Sequence, residues 1–109
     1  MIRLRLEQFA CPASLEIESR DPALPGAFVV RHAQGVSAYL NRCPHTGAPL
    51  NWQPDQFLDP QRQHILCSLH GALFRLDDGY CVAGPCQGDA LSALPVKITK
   101  DRILVDYDP

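Results

Sequence analysis

"RCPHTG", residues 42–47, and "ILCSLHG", residues 65–71, each set a cysteine close to a histidine and end on a glycine. The chain has only five cysteines and four histidines in 109 residues, yet two of each fall in these two stretches. Cysteine and histidine are the ligands of soft and borderline metals. Two loops that each carry one of both can close a tetrahedral zinc site. They can equally hold a two-iron cluster, with both cysteines on one iron and both histidines on the other. Zinc fingers and ribbons usually pair like ligands at short gaps. Here each loop is mixed, C-x-H at Cys43 and His45 and C-x2-H at Cys67 and His70. Mixed loops suit a site in which each loop reaches both metal ions.

Outward from the two loops, the patterning is that of short strands. "IRLRLEQF" alternates apolar and polar residues from Ile2 to Leu6, as a half-buried strand does. "AFVVRHA" and "VSAYLN" flank Gln34-Gly35, a two-residue hairpin signal. "HILCSLHGALFRLDDGYCVAG" holds three short runs, broken at Ser68–Gly71 and at Asp77-Asp78-Gly79. "LPVKIT" and "RILVDY" flank Lys100-Asp101 and read as a closing hairpin. No stretch has a long helical period, and ten scattered prolines oppose long helices. The expected fold class is all-β, built of short antiparallel strands. "APLNWQPDQFLDPQRQ", residues 48–63, carries three prolines and reads as a long loop with one helical turn near Asp55–Leu58. Loops of this length inside compact folds are usually functional.

Bulk composition narrows the class. A chain of this length fits one domain, residues 1–109, whose small core would gain from a metal staple. With 46% hydrophobic and 20% charged residues it reads as globular. A net charge of -2 offers no basic field for nucleic acid. No apolar run approaches a membrane span, and the first residues lack a signal-peptide core. A cytoplasmic location is expected, where thiols stay reduced and cysteines serve as ligands or buried side chains.

The pattern C-x-H then C-x2-H, with Gly47 and Gly71 after the histidines, resembles the Rieske [2Fe-2S] domain. "CSLHGALF" is similar to that family's second cluster loop. "DDGYCVAGP" is similar to the strand and proline loop, with Gly84-Pro85, that covers the cluster on a third side. "LPVKITKDRILVDY" resembles its last hairpin. The likeness is strongest from Cys43 to Pro85 and implies stacked antiparallel sheets with a cluster-binding subdomain of two loops, about residues 42–86. It implies one [2Fe-2S] cluster per chain, with Cys43 and Cys67 on one iron and His45 and His70 on the other. The chain looks closest to small bacterial ferredoxin-like members. The twenty-one residues between His45 and Cys67 are long for the family.

High-potential members carry an extra cysteine in each loop, joined in a disulfide; Ala48 and Leu69 stand at those positions here. They also place hydroxyl donors where Ala72 and Phe74 stand. Fewer donors to the sulfurs stabilise the reduced state less, which implies a low-potential member. His32 and His64 are read as ordinary surface or edge histidines, and Cys11 as a lone, partly buried thiol. Cys81 and Cys86 are read as thiols rather than a disulfide, with Cys86 near the cluster and prone to oxidation. Trp52 and Phe57 are read as packing for the long loop.

The implied function is a soluble one-electron carrier, monomeric, passing electrons from a reductase to an oxygenase or other redox enzyme. It would not be an enzyme itself, since the chain has no room for an oxygenase catalytic domain and no second ligand set for a mononuclear iron. Two other readings remain beside it. One is a non-redox interaction subunit, similar to the small subunit of nitrite reductase; the other is a zinc-stabilised binding module.

Overall fold

The computed structural model describes residues 2–5, 13–19, 21, 23–44, 47–51, 53–68 and 71–107. They form ten strands in three antiparallel sheets. The strands are β1 (Ile2–Arg5), β2 (Ala13–Ile17), β3 (Ala27–His32), β4 (Gly35–Leu40), β5 (Ile65–Leu66), β6 (Leu73–Phe74), β7 (Cys81–Ala83), β8 (Ala93–Leu94), β9 (Val96–Thr99) and β10 (Arg102–Val105). The sheet orders are β1-β10-β9, β2-β3-β4-β8 and β5-β6-β7. No helix among the described residues is long and apolar enough to cross a membrane.

The four-stranded sheet lies in the middle, and β3 shows why. Its "AFVV" run is buried at all four positions, as expected of a strand covered on both faces. Successive side chains point to opposite faces. Phe28 and Val30 join Tyr39, Phe57, Ile65 and Phe74 in one apolar core. Ala27 and Val29 join Ile17, Ala38, Ile103 and Val105 in the other. The second core therefore seats the β1-β10-β9 sheet, and the first seats the small β5-β6-β7 sheet with the two cysteine loops. Tyr107 donates its hydroxyl to the Pro25 carbonyl, tying the end of the chain to the entrance of β3.

Two local expectations need correction. The β3–β4 turn is Ala33-Gln34, with His32 paired to Gly35, one residue earlier than Gln34-Gly35. Gly35 instead opens β4 with a φ of 136°, a conformation that only glycine adopts readily. Asp55–Leu58 is not a helical turn. Gln53 and Gln56 bridge each other, and Asp55 at φ 65° breaks any helical run. Its carboxylate Oδ1 accepts from the Glu16 amide at 2.7 Å, and its carbonyl accepts from Ser14 Oγ at 2.6 Å. The long loop is thus docked on β2, and Phe57 stacks on Phe28 with centroids 4.2 Å apart. The packing role expected of Phe57 holds; Trp52 and Cys11 lie outside the described residues.

The closing hairpin turns at Lys100-Asp101, with Lys100 at φ 52°. The Asp77-Asp78-Gly79 segment is also a turn. Arg75 Nε donates to Asp78 Oδ1 at 2.9 Å, which holds the Asp78 carboxyl below its ordinary pKa.

Candidate metal centre

The two cysteine loops share one backbone frame. In the first, the Cys43 amide donates to the Ala48 carbonyl at 2.8 Å, and the Gly47 amide to the Cys43 carbonyl at 2.7 Å. In the second, the Cys67 amide donates to the Ala72 carbonyl at 2.9 Å, and the Gly71 amide to the Cys67 carbonyl at 2.8 Å. The spacing from cysteine to glycine and to alanine is the same in both. Gly47 and Gly71 take φ values of 78° and 70°, the left-handed conformation that lets each loop turn back on its cysteine. The Ser68 amide donates to the Leu50 carbonyl at 3.0 Å, which stitches one loop to the other.

Both thiols face inward. Cys43 is 1% exposed and Cys67 fully buried, within the same apolar core as Ala72, Phe74, Cys81 and Cys86. The thiol of Cys81 lies 3.2 Å from the Ala83 carbonyl oxygen. Cys86 brings its Sγ to 3.6 Å from Cys43 Sγ, too far for a disulfide between them. Ala72 and Phe74 have no exposed surface and no hydroxyl to offer. His45, His70 and Leu69 lie outside the described residues, so the histidine half of the expected set, and the pairing of positions 48 and 69, are not placed. Among the described residues no group of three metal-ligating side chains assembles; Cys43 and Cys67 lie in the same buried core.

The roof over the loops is the Gly84–Cys86 segment. Gly84, at φ 95°, packs on Ala72 so closely that a Cβ there would stand 2.7 Å from Ala72 Cα. The Asp89 amide donates to the Cys86 carbonyl and the Cys81 amide to the Asp89 carbonyl, each at 2.8 Å, fixing Cys86 in place.

The first loop has a further brace that the sequence did not advertise. Asn41, 8% exposed, accepts from the Leu50 amide at 2.7 Å and donates to Asn51 Oδ1 at 2.9 Å. Its only sequence signal is its place at the end of a strand, two residues before Cys43.

His32 is buried rather than at the surface, because it has partners. Its Nε2 is 2.8 Å from Ser37 Oγ, and Ser37 donates in turn to the Asp77 carbonyl. His64 sits at the rim, with Nδ1 3.8 Å from an Asp59 carboxylate oxygen. Tyr39, on β4, donates to the Leu76 carbonyl at 2.9 Å; burial pushes its pKa up to about 12.

The family model for the Rieske [2Fe-2S] domain matches residues 10–100. The chain belongs to the Rieske [2Fe-2S] domain family. Its structure is similar to a ferredoxin of Sphingomonas yanoikuyae B1, at TM-score 0.72 and 23% identity over 98% of both chains. It is similar to the ferredoxin of carbazole 1,9a-dioxygenase from Nocardioides aromaticivorans IC177, at TM-score 0.70 and 25% identity over 94% of this chain and 91% of that one. The terminal oxygenase of carbazole 1,9a-dioxygenase from Novosphingobium sp. KA1 matches at TM-score 0.74 and 23% identity. There the likeness spans 98% of this chain but 30% of the oxygenase. No curated protein sequence matches.

A Rieske cluster needs two thiolates on one iron. The described residues fit that demand. Two buried thiols stand on twin, mutually bonded loops, shielded from water by an apolar core and roofed by the Gly84–Cys86 segment.

Proposed function

We propose that this Rieske chain is a one-electron carrier that delivers electrons from a reductase to a terminal oxygenase. The observation that carries it is the pair of twin loops with inward thiols. It is joined to a likeness that covers 94% of this chain and 91% of a dioxygenase ferredoxin. The ligands in this reading are Cys43 and Cys67 on the inner iron and His45 and His70 on the outer one, within a cluster-binding region of about residues 42–86 of a single domain. The cluster, when bound, supplies a reversible one-electron couple. The chain's own residues do the rest. The glycine turns hold the two cysteines in register, the core excludes water from their sulfurs, and the long loop closes one flank. A structure solved as a complex of reduced oxygenase and oxidised ferredoxin in carbazole 1,9a-dioxygenase matches at TM-score 0.72 and 21% identity over 93% of this chain and 95% of that one. It supports an oxygenase as the electron acceptor.

The absence of hydroxyls at the buried positions of Ala72 and Phe74 supports a low potential, on the order of -150 mV rather than +300 mV. The reading places the carrier in the cytoplasm. A ligand-free interaction subunit of this fold would have no use for Cys43, His45, Cys67 and His70, and a zinc site usually pairs like ligands at short gaps rather than mixing them in each loop. The test is the visible spectrum of the purified chain with its iron and acid-labile sulfide content. A coloured protein with two irons and two sulfides per chain, bleached by one electron, is expected. A colourless zinc protein overturns the reading.

A further inference from the structure

Cys86 has no assigned part in the ligand set, yet its sulfur is 3.6 Å from that of Cys43 and its side chain is 1% exposed. We infer that Cys86 is a potential-setting residue: its S–H donates a hydrogen bond to the Cys43 sulfur and favours the reduced state. This rests on the proposed ligand set.

The geometry alone leaves the direction of the bond open, since either sulfur can be the donor. Ligation removes the choice. Cys43 must give up its proton to bind metal, so the one proton left in the pair belongs to Cys86. The sulfur–sulfur contact is of hydrogen-bonding length, and water does not compete at a site this buried. In such a setting a bond to a charged sulfur is stronger than in water. It is also stronger when the neighbouring sulfur gains negative charge, which is what one-electron reduction does. Hydrogen bonds to the sulfurs are among the levers that set iron–sulfur potentials.

The contact is built rather than incidental. The Asp89 amide holds the Cys86 carbonyl at 2.8 Å, and the Gln87 amide reaches the Gly84 carbonyl at 3.2 Å, closing a tight turn around Cys86. Gly84 then presses that turn onto Ala72 of the opposite loop. The roof therefore rests on the second loop and reaches the ligand of the first. This donor compensates in part for the hydroxyls missing at Ala72 and Phe74, and it comes from outside both cysteine loops.

The experiment compares wild type with Cys86→Val, which fills the space without a donor, and Cys86→Ser, which keeps one. Iron, sulfide and midpoint potential are measured on each. Cys86→Val is expected to retain its cluster and to shift the oxidised–reduced equilibrium toward the oxidised form by roughly two- to tenfold. Tenfold corresponds to a fall of about 59 mV for one electron. Cys86→Ser is expected to recover most of that shift. Resonance Raman spectra in heavy water should show a smaller deuterium effect on the iron–thiolate stretches in Cys86→Val than in wild type. Should Cys86→Val fail to hold iron, Cys86→Ala is measured in its place. Equal potentials and equal deuterium effects in wild type and the donor-free variant overturn the inference and leave the ligand set standing. A wild type without iron and sulfide overturns both.

Discussion

The loops Cys43–Ala48 and Cys67–Ala72 have the same backbone hydrogen bonds and the same glycine turn, but they are held from outside by different means. The first is braced by side chains. Asn41 bonds the Leu50 amide just beyond the loop and passes the link to Asn51, whose Nδ2 donates to Glu16 Oε1 on β2 at 3.3 Å. The second is braced by backbone. It is the turn of the β5–β6 hairpin, with Ile65 paired to Phe74 and Leu66 to Leu73, and Gly84 packs on its far end. Identical local geometry thus does not imply identical support. A hairpin needs no side-chain partner to keep its shape, whereas a loop that leads into a long irregular segment does. The chain leaves the second loop directly into strand β6 at Leu73, but it leaves the first into an irregular stretch that reaches β5 only at Ile65.

The largest effect should ignore this difference altogether. If the loops are equal partners in the cluster, Cys43→Ser and Cys67→Ser must fail alike, because a hard oxygen is a poor substitute for thiolate. Both variants are expected to lose essentially all iron and sulfide, measured after identical reconstitution. Full stoichiometry in either one would break the pairing of the two loops as ligand donors.

Next in size is Gly84→Ala, which attacks the backbone-held loop. The new Cβ would meet Ala72 Cα at 2.7 Å, and the φ of 95° disfavours any side chain. Overpacking costs about 1–3 kcal/mol, and the left-handed backbone adds roughly 1 kcal/mol more. A loss of about 3 kcal/mol, read as a fall in the urea midpoint at unchanged slope, is expected. An unchanged midpoint would mean that the roof is not seated on the second loop.

Asn41→Ala attacks the side-chain brace and should cost less. It leaves the Leu50 amide without its 2.7 Å acceptor, at about 1–3 kcal/mol for an unsatisfied buried group. Hydrogen exchange sharpens the test. The Leu50 amide should lose protection, while the amides of Cys67 and Gly71 keep theirs. Equal loss in both loops would show that the Ser68–Leu50 link transmits the damage and that the two supports are one.

The contrast between the supports also explains what the sequence made legible. Hairpins are local, so β3–β4, β9–β10 and the β5-β6-β7 meander could be read from alternation and turn residues. The second loop came with them. The cysteine pair was legible because mixed Cys and His spacing is chemically unusual. Pairings between distant segments carry no local signature. Nothing in "ASLEI" announces β2, and nothing in the first strand names β10 as its partner. Asn41, Asp55 and His32 look like ordinary loop or surface polar residues. Their roles exist only once Leu50, Glu16 and Ser37 have been brought to them by the fold. The approach of Cys86 to Cys43, forty-three positions apart, is of the same kind.

Tyr39 gives the smallest effect and tests what the two regions share. It stands on β4, four residues before Cys43, and its hydroxyl donates to the Leu76 carbonyl, just past the strand that leaves the second loop. The bond therefore joins the approach to one loop with the exit from the other. Tyr39→Phe removes it without opening a cavity, and a loss of about 1 kcal/mol at neutral pH is expected. Titration supplies an independent signature. Burial, which disfavours the phenolate, raises the Tyr39 pKa from 10.0 to about 12. The unfolded state binds its proton less tightly than the folded one. The stability linked to this proton is thus fully present below about pH 10 and is lost as pH rises from there through about 12. Urea midpoints of wild type should fall across that window more steeply than those of Tyr39→Phe, whose other titrating groups are the same. Parallel curves would mean that the phenol is not sealed between the two loops' strands.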